Sequence, residues 1–137
     1  MTPRLTNLIF QRLKYNNVNI YMSNYILTKS PLKNKKYRMT MPDENHKHDF
    51  GGVRENGEPY RDYILLNDRN SKFYEPDEAE RKKVRASYRA RHRGDKGLGS
   101  KHSPAELSWS LLWSKPTLAK AIKFYENKFN VKVINNV

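Results

Sequence analysis

Four histidines carry the first chemistry worth weighing. His46 and His48 are one residue apart, a spacing that on a strand points both rings to the same face. With Asp49 beside them and His92 and His102 to complete the set, they could offer ligands to zinc or nickel. No spacing among them is a recognised ligand motif. The pair therefore reads as polar residues on the solvent face of a hairpin, and neither a metal nor another cofactor is expected. Hydrolytic chemistry is no better supported. Asp43, Glu44, Asp49, Asp62 and Asp68 are scattered over loops without a carboxylate pair at fixed spacing. Ser87 sits among bases rather than in a nucleophile elbow, and Gly94, Gly97 and Gly99 lack the Lys-Ser/Thr of a phosphate loop. With no nucleophile–base pair and no cysteine, the expectation is a protein that is not an enzyme.

The densest functional signal is cationic. Arg81, Arg85 and Arg89 recur at i, i+4 and i+8 and define a ridge, extended by Lys82, Lys83, Arg91 and Arg93. Such a helix suits a phosphate backbone, and arginine favours bidentate contacts to phosphate or carboxylate. The competing use is pairing with Asp77, Glu78 and Glu80 or with the acidic stretch before them. Val84 and Tyr88 are placed roughly opposite part of the ridge. Trp109 and Trp113, at i and i+4 beside Leu112, read as core rather than as a base-stacking platform.

These residues must be positioned by a short chain. It has 137 residues with 27 Lys or Arg against 14 Asp or Glu, a net charge of +13. The excess is uneven: residues 1–42 hold eight bases and no acid, 43–76 five bases and eight acids, and 77–102 nine bases and four acids. A polyanion or an acidic protein is the partner such asymmetry suits. Aromatics at 12% argue against full disorder, and no apolar run approaches the length of a membrane-spanning helix. The core is expected to be too small for a pocket of several hundred Å³.

The pattern divides the chain into a basic arm and linker over 1–35 and a small domain over 36–137. Leu5, Leu8, Ile9 and Leu13 form an apolar stripe among Arg4, Arg12 and Lys14. Arg4, Leu8, Ile9, Arg12, Lys35 and Lys36 are the candidate docking residues of this arm. The same stretch also has the look of a transit peptide, or of an extension ahead of a start at Met22. Residues 37–41 and 46–50 alternate around a Pro-Asp-Glu-Asn turn and predict a hairpin, with a third strand near 63–66. Asp77 and Glu80 form a capping box opening a helix to about His92, and Ser103 and Glu106 form a second. A last helix spans about 116–129, and residues 131–134 could add a strand. The expected fold is α+β: a small antiparallel sheet packed on three C-terminal helices. Its expected core is Trp109, Leu112, Trp113, Leu118, Ile122 and Tyr125.

From the linker to Val131 the chain resembles a family of small basic proteins of nucleocytoplasmic large DNA viruses. The resemblance rests on Ser30-Pro31-Leu32-Lys33-Asn34-Lys35-Lys36-Tyr37-Arg38, Asp49-Phe50-Gly51 and Tyr60-Arg61-Asp62-Tyr63-Ile64. It continues through Arg81, Tyr88, Arg91-His92, Ser108-Trp109 and the run Leu111-Leu112-Trp113-Ser114-Lys115-Pro116-Thr117-Leu118. Ile122-Lys123 and Phe129-Asn130-Val131 close it. This chain departs from the family in a longer stretch around 53–59 and in the helix-entry loop at 97–106. The resemblance implies a viral source and a place in the virion. The function expected is a minor capsid or capsid-lining component bridging larger subunits. The alternative is a protein that binds viral DNA or RNA through the basic ridge. Location in the virion, and in host cytoplasm or nucleus during assembly, follows from either.

Overall fold

The computed structural model describes residues 22–137, so Arg4, Leu8, Ile9 and Arg12 of the expected arm lie outside the described residues. Four strands form one sheet: β1 (Asn24–Lys29), β2 (Lys35–Met41), β3 (His46–Gly52) and β4 (Lys132–Asn135), in the order β3-β2-β1-β4. The hairpin appears where alternation predicts it. A 3-10 turn over Pro42–Glu44 joins β2 to β3, and Asn45 closes it in the left-handed region at φ 54°.

Three expectations need correction here. Residues 24–29, read as arm, form β1 inside the sheet, because alternation buries Tyr25 and Leu27 completely while their neighbours stay outward. Lys35 and Lys36, read as arm docking residues, belong to β2. The sheet is mixed rather than antiparallel, since β4 runs parallel to β1.

Residues 63–66 are not a strand. They lie in a short helix, α1 (Tyr63–Asn67), because the Asp62 side chain accepts from Leu65 N at 2.8 Å and caps it. Tyr63 and Leu66 are then buried at helical spacing. Three longer helices follow: α2 (Glu78–His92), α3 (Pro104–Leu111) and α4 (Leu118–Phe129). Asp77, Ser103 and Thr117 cap them, accepting from Ala79 N, Glu106 N and Lys120 N. Asn130, left-handed at φ 55°, ends α4 and turns the chain into β4. The whole is the α+β fold expected.

The core lies between the sheet and α3–α4. Tyr25, Leu27, Met39, Met41, Phe50 and Val133 supply the sheet side. Leu107, Leu111, Leu112, Trp113, Ile122 and Tyr125 supply the helical side. Trp109 is only half-buried and Leu118 packs at the core's margin. Trp109 lies in the last turn of α3 and Trp113 just beyond its end, and only Trp113 reaches inward, stacking on Tyr88 with centroids 4.2 Å apart and planes 8° apart. On the opposite sheet face, Asp49 accepts from Arg38 at 3.0 and 3.1 Å and from Ser30 Oγ at 2.6 Å. The Arg38 bond, with the help of Ser30 and Lys47, holds its carboxyl below the usual range against the opposing effect of burial.

Trp113→Ala should cost about 3–5 kcal/mol in urea unfolding, a large share of the roughly 5–15 kcal/mol typical of a domain. Unchanged melting would remove Trp113 from the core. Asp49 generates a pH prediction. Its folded pKa is depressed, so its stabilisation is complete above the unfolded pKa near ~3.9 and is lost as pH falls through the lower folded value. Asp49→Asn should therefore flatten the acid limb of stability against pH.

Candidate polyanion-binding cleft

The arginine ridge of α2 faces the protein. Arg81, Val84, Arg85, Tyr88, Arg89 and His92 are all half-buried and share one side of the helix, where residues three and four apart are neighbours. This corrects the expectation of an exposed ridge opposite Val84 and Tyr88. Arg85 donates from Nε to the Trp113 carbonyl at 2.8 Å and from Nη2 to the Ser114 carbonyl at 2.9 Å. It thereby satisfies carbonyls left open where α3 ends. Its guanidinium also lies 5.3 Å from the Tyr63 ring centroid. Arg81 donates to the Glu75 carbonyl at 2.6 Å, and Arg89 lies 5.2 Å from the Trp109 ring. Burial lowers the Arg89 pKa, with Arg85 adding to the effect.

Lys82, Lys83 and Arg93 are exposed and line no part of the cleft. Lys82 pairs with Glu78 at 3.5 Å and Lys83 with Glu80 at 3.6 Å, so the acids of the first turn partly neutralise that face. Glu80 therefore does not complete the expected box. The second box also closes only in part: Glu106 turns inward to Gly99 N, Ser110 and Lys128.

The fold opens a cleft of about 810 Å³ where the ends of β2 and β3, the following loop, α2 and the start of α3 converge. A pocket of that size corrects the expectation drawn from the small core. Strand ends and helices build most of its walls, the loop residues Arg54, Tyr60, Arg61 and Phe73 add a rim, and the core residues Phe50, Leu112 and Trp113 reach its base. Gly51, at φ +81°, lets the strand end approach β2: a Cβ there would lie 2.9 Å from Lys36 Cβ. A Cβ on Gly52 would lie 2.8 Å from the Tyr60 ring. The longer stretch at 53–59 folds back on itself through an isolated Val53–Pro59 bridge and forms one rim. Phe50, Tyr60, Phe73, Tyr88 and Trp113 supply aromatic surface. Tyr60 is 51% exposed, with the Arg54 guanidinium 4.2 Å from its ring centroid.

Charge in the cleft is positive and only partly paired. Lys36 is bound to buried Asp62 at 2.8 Å, and His92 Nδ1 lies 2.7 Å from Asp95. Lys35, Arg54, Arg61 and Arg91 line the same cleft and have no ion-pair partner among the described residues. The Tyr88 hydroxyl is pushed up to about 12, mainly by burial and further by Asp95, so it remains a protonated donor at neutral pH. Tyr88 is already stacked on Trp113 and His92, so Tyr60 and Phe73 are the rings the cleft offers for stacking, beside guanidinium groups for phosphate or carboxylate.

Of the residues expected to bind a polyanion, Arg91 lines the cleft, Arg85 holds the backbone of the lining residue Trp113, and Arg81, Lys82, Arg89 and Arg93 are not part of it. Arg54, Tyr60, Arg61 and Phe73 were not foreseen. Their signal was a run of bases interleaved with aromatics inside a stretch whose net charge is slightly acidic. His46 and His48 also lie elsewhere than expected. Their partners Met41 and Met39 are buried, so both rings are on the helix-facing side of the edge strand β3. No protein-family model, curated protein or solved structure matches the chain. No helix among the described residues is long and apolar enough to cross a membrane.

Arg85→Met should lower stability by about 1.5–3 kcal/mol by removing charged hydrogen bonds to two carbonyls. Arg85→Lys should recover little of it, since an ammonium cannot span both oxygens as the fork does. Chemical denaturation of the three proteins checks this.

Proposed function

We propose that this protein is a non-enzymatic binding protein that holds a polyanion, in the first place a single-stranded nucleic acid, in the cleft. One observation carries the reading: unpaired cations Lys35, Arg54, Arg61 and Arg91 share a concave surface with Tyr60, Phe73 and Tyr88. Single strands need that combination, because the backbone follows positive charge while splayed bases stack on aromatic rings. Given the resemblance to proteins of large DNA viruses, the strand would be viral DNA or RNA and the protein a component of the virion or of its assembly.

A second reading, a minor capsid or capsid-lining component bridging larger subunits, is favoured by the outer face of the sheet. Ile26 and Ile134 are register partners there, side by side on adjacent strands, and Ile134 is 42% exposed. An apolar pair with Lys132 on one side and Thr40 on the other suits a protein neighbour better than a phosphate backbone.

Binding of the full chain to a labelled single-stranded oligonucleotide over a salt series tests the first reading. Log affinity should fall linearly with log salt, at a slope of about −0.7 per phosphate neutralised. The triple variant Arg54→Glu/Arg61→Glu/Arg91→Glu should keep the wild-type circular dichroism and lose binding. Tyr60→Ala should cost about 1–3 kcal/mol. No binding at ~50 mM salt, or equal binding by the triple variant, contradicts the cleft reading. The capsid reading is checked separately: Ile26→Glu/Ile134→Glu should abolish incorporation into particles.

A further inference from the structure

We infer that His46, His48 and His102 form a binding site for a divalent transition metal of the zinc class, with three imidazole ligands and an open fourth position. The site lies outside the cleft, and none of the three residues lines it.

The sequence supplies the pieces from two distant places. His46 and His48 are successive inward positions of edge strand β3. His102 comes from the loop ahead of α3, which is fixed at several points. Ser103 Oγ donates to the Gly97 carbonyl at 2.7 Å, Tyr125 OH donates to the Lys101 carbonyl at 3.0 Å, and Glu106 accepts from Gly99 N at 2.8 Å. Held in this way, the loop sets His102 over the strand, with ring centroids 4.7 Å from His46 and 6.5 Å from His48. One ring nitrogen from each histidine falls within 4.8 Å of the others.

Two details separate this cluster from a chance gathering of polar side chains. His48 Nε2 and His102 Nδ1 are buried and have no hydrogen-bond partner. Buried polar atoms are normally satisfied, so each such nitrogen needs an explanation. A metal accepting their lone pairs provides one. The other detail is Glu44, whose Oε1 lies 2.7 Å from His102 Nε2. A carboxylate on the far nitrogen fixes the tautomer and turns the remaining lone pair toward the ion, which is how metal-bound histidines are commonly oriented. Glu44 is itself held by the Tyr25 hydroxyl and approached by Lys101 at 3.8 Å.

Imidazole nitrogens about 2.0–2.1 Å from a tetrahedral ion stand roughly 3.4 Å apart. Closing to that spacing needs shifts of about an ångström or so, within reach of ring rotation, above all by exposed His46. Three neutral nitrogens suit zinc, cobalt, nickel or copper, whereas magnesium and calcium require oxygen ligands. The ion would cross-link the edge strand to the α3 entry loop, with water in the fourth position.

The test uses the full, tag-free chain freed of metal with chelator. Zinc alone, followed by calorimetry, should bind at one equivalent, and cobalt alone should give the intense visible bands of a tetrahedral ion. His48→Gln and His102→Gln should abolish this binding, and Glu44→Gln should weaken it by about 10–100-fold. Because a variant could unfold, wild-type imidazole NMR signals provide an independent reading. Zinc should shift those of His46, His48 and His102 while His92 stays in place. Absence of zinc binding by the wild-type chain would overturn the site. So would full binding by folded His48→Gln, or shifts led by His92.

Discussion

A buried carboxylate holds the helical half of this protein to itself. Glu106 is 1% exposed, on a helix whose neighbouring residues Leu107 and Leu111 are completely buried. It accepts from Gly99 N at 2.8 Å, from Ser110 Oγ at 2.5 Å and from Lys128 Nζ at 2.8 Å. These donors come from the entry loop, from α3 itself and from α4. Any other placement of α4 would leave the carboxylate buried without its counter-charge, at a cost of several kcal/mol. The pair therefore selects one arrangement of α3 against α4, and the sheet packs on that arrangement. The same carboxylate fixes the loop that carries His102 and the start of α3 that walls the cleft.

The arrangement also decides how a chain of net charge +13 displays that charge. Arginines of α2 that could have met an external polyanion are spent on the carbonyls of Trp113, Ser114 and Glu75. Arginine suits that work because its weakly hydrated fork tolerates partial burial while making several donations. On the outer side of α2, Lys82 and Lys83 pair with acids of the first turn. Four cations without an ion-pair partner among the described residues, Lys35, Arg54, Arg61 and Arg91, stand together in the cleft beside aromatic rings, which strengthens what a cation can do there.

Periodicity made much of the fold legible and left the long-range part dark. The β2–β3 hairpin and helices α2, α3 and α4 stand where alternation, capping residues and i, i+4 spacing put them. Strand β1 was hidden because its two buried residues, Tyr25 and Leu27, sit in a short segment followed by a basic linker. The first helix was mistaken for a strand because Tyr63 and Leu65 alternate as well as Tyr63 and Leu66 repeat. Only the Asp62 cap distinguishes the two. The inward turn of Arg81, Arg85 and Arg89 could have been read from the sequence, since Val84 and Tyr88 lie three residues beyond Arg81 and Arg85 and must share their face. The cleft could not, because its walls come from five separated segments. The sequence offered His102 and His92 alike as companions of His46 and His48, and only the docking of α3 against the edge strand decides for His102.

The central claim is that the cleft, and not the outward face of α2 or the first 21 residues, is where a polyanion binds. Amide chemical-shift mapping of the full chain with a short single-stranded oligonucleotide tests it most directly. The account predicts that the largest shifts cluster at Gly51, Gly52, Arg54, Tyr60, Arg61 and Arg91, on surfaces brought together only by the fold. Shifts confined to Lys82, Lys83 and Arg93, or to residues 1–21, would contradict it.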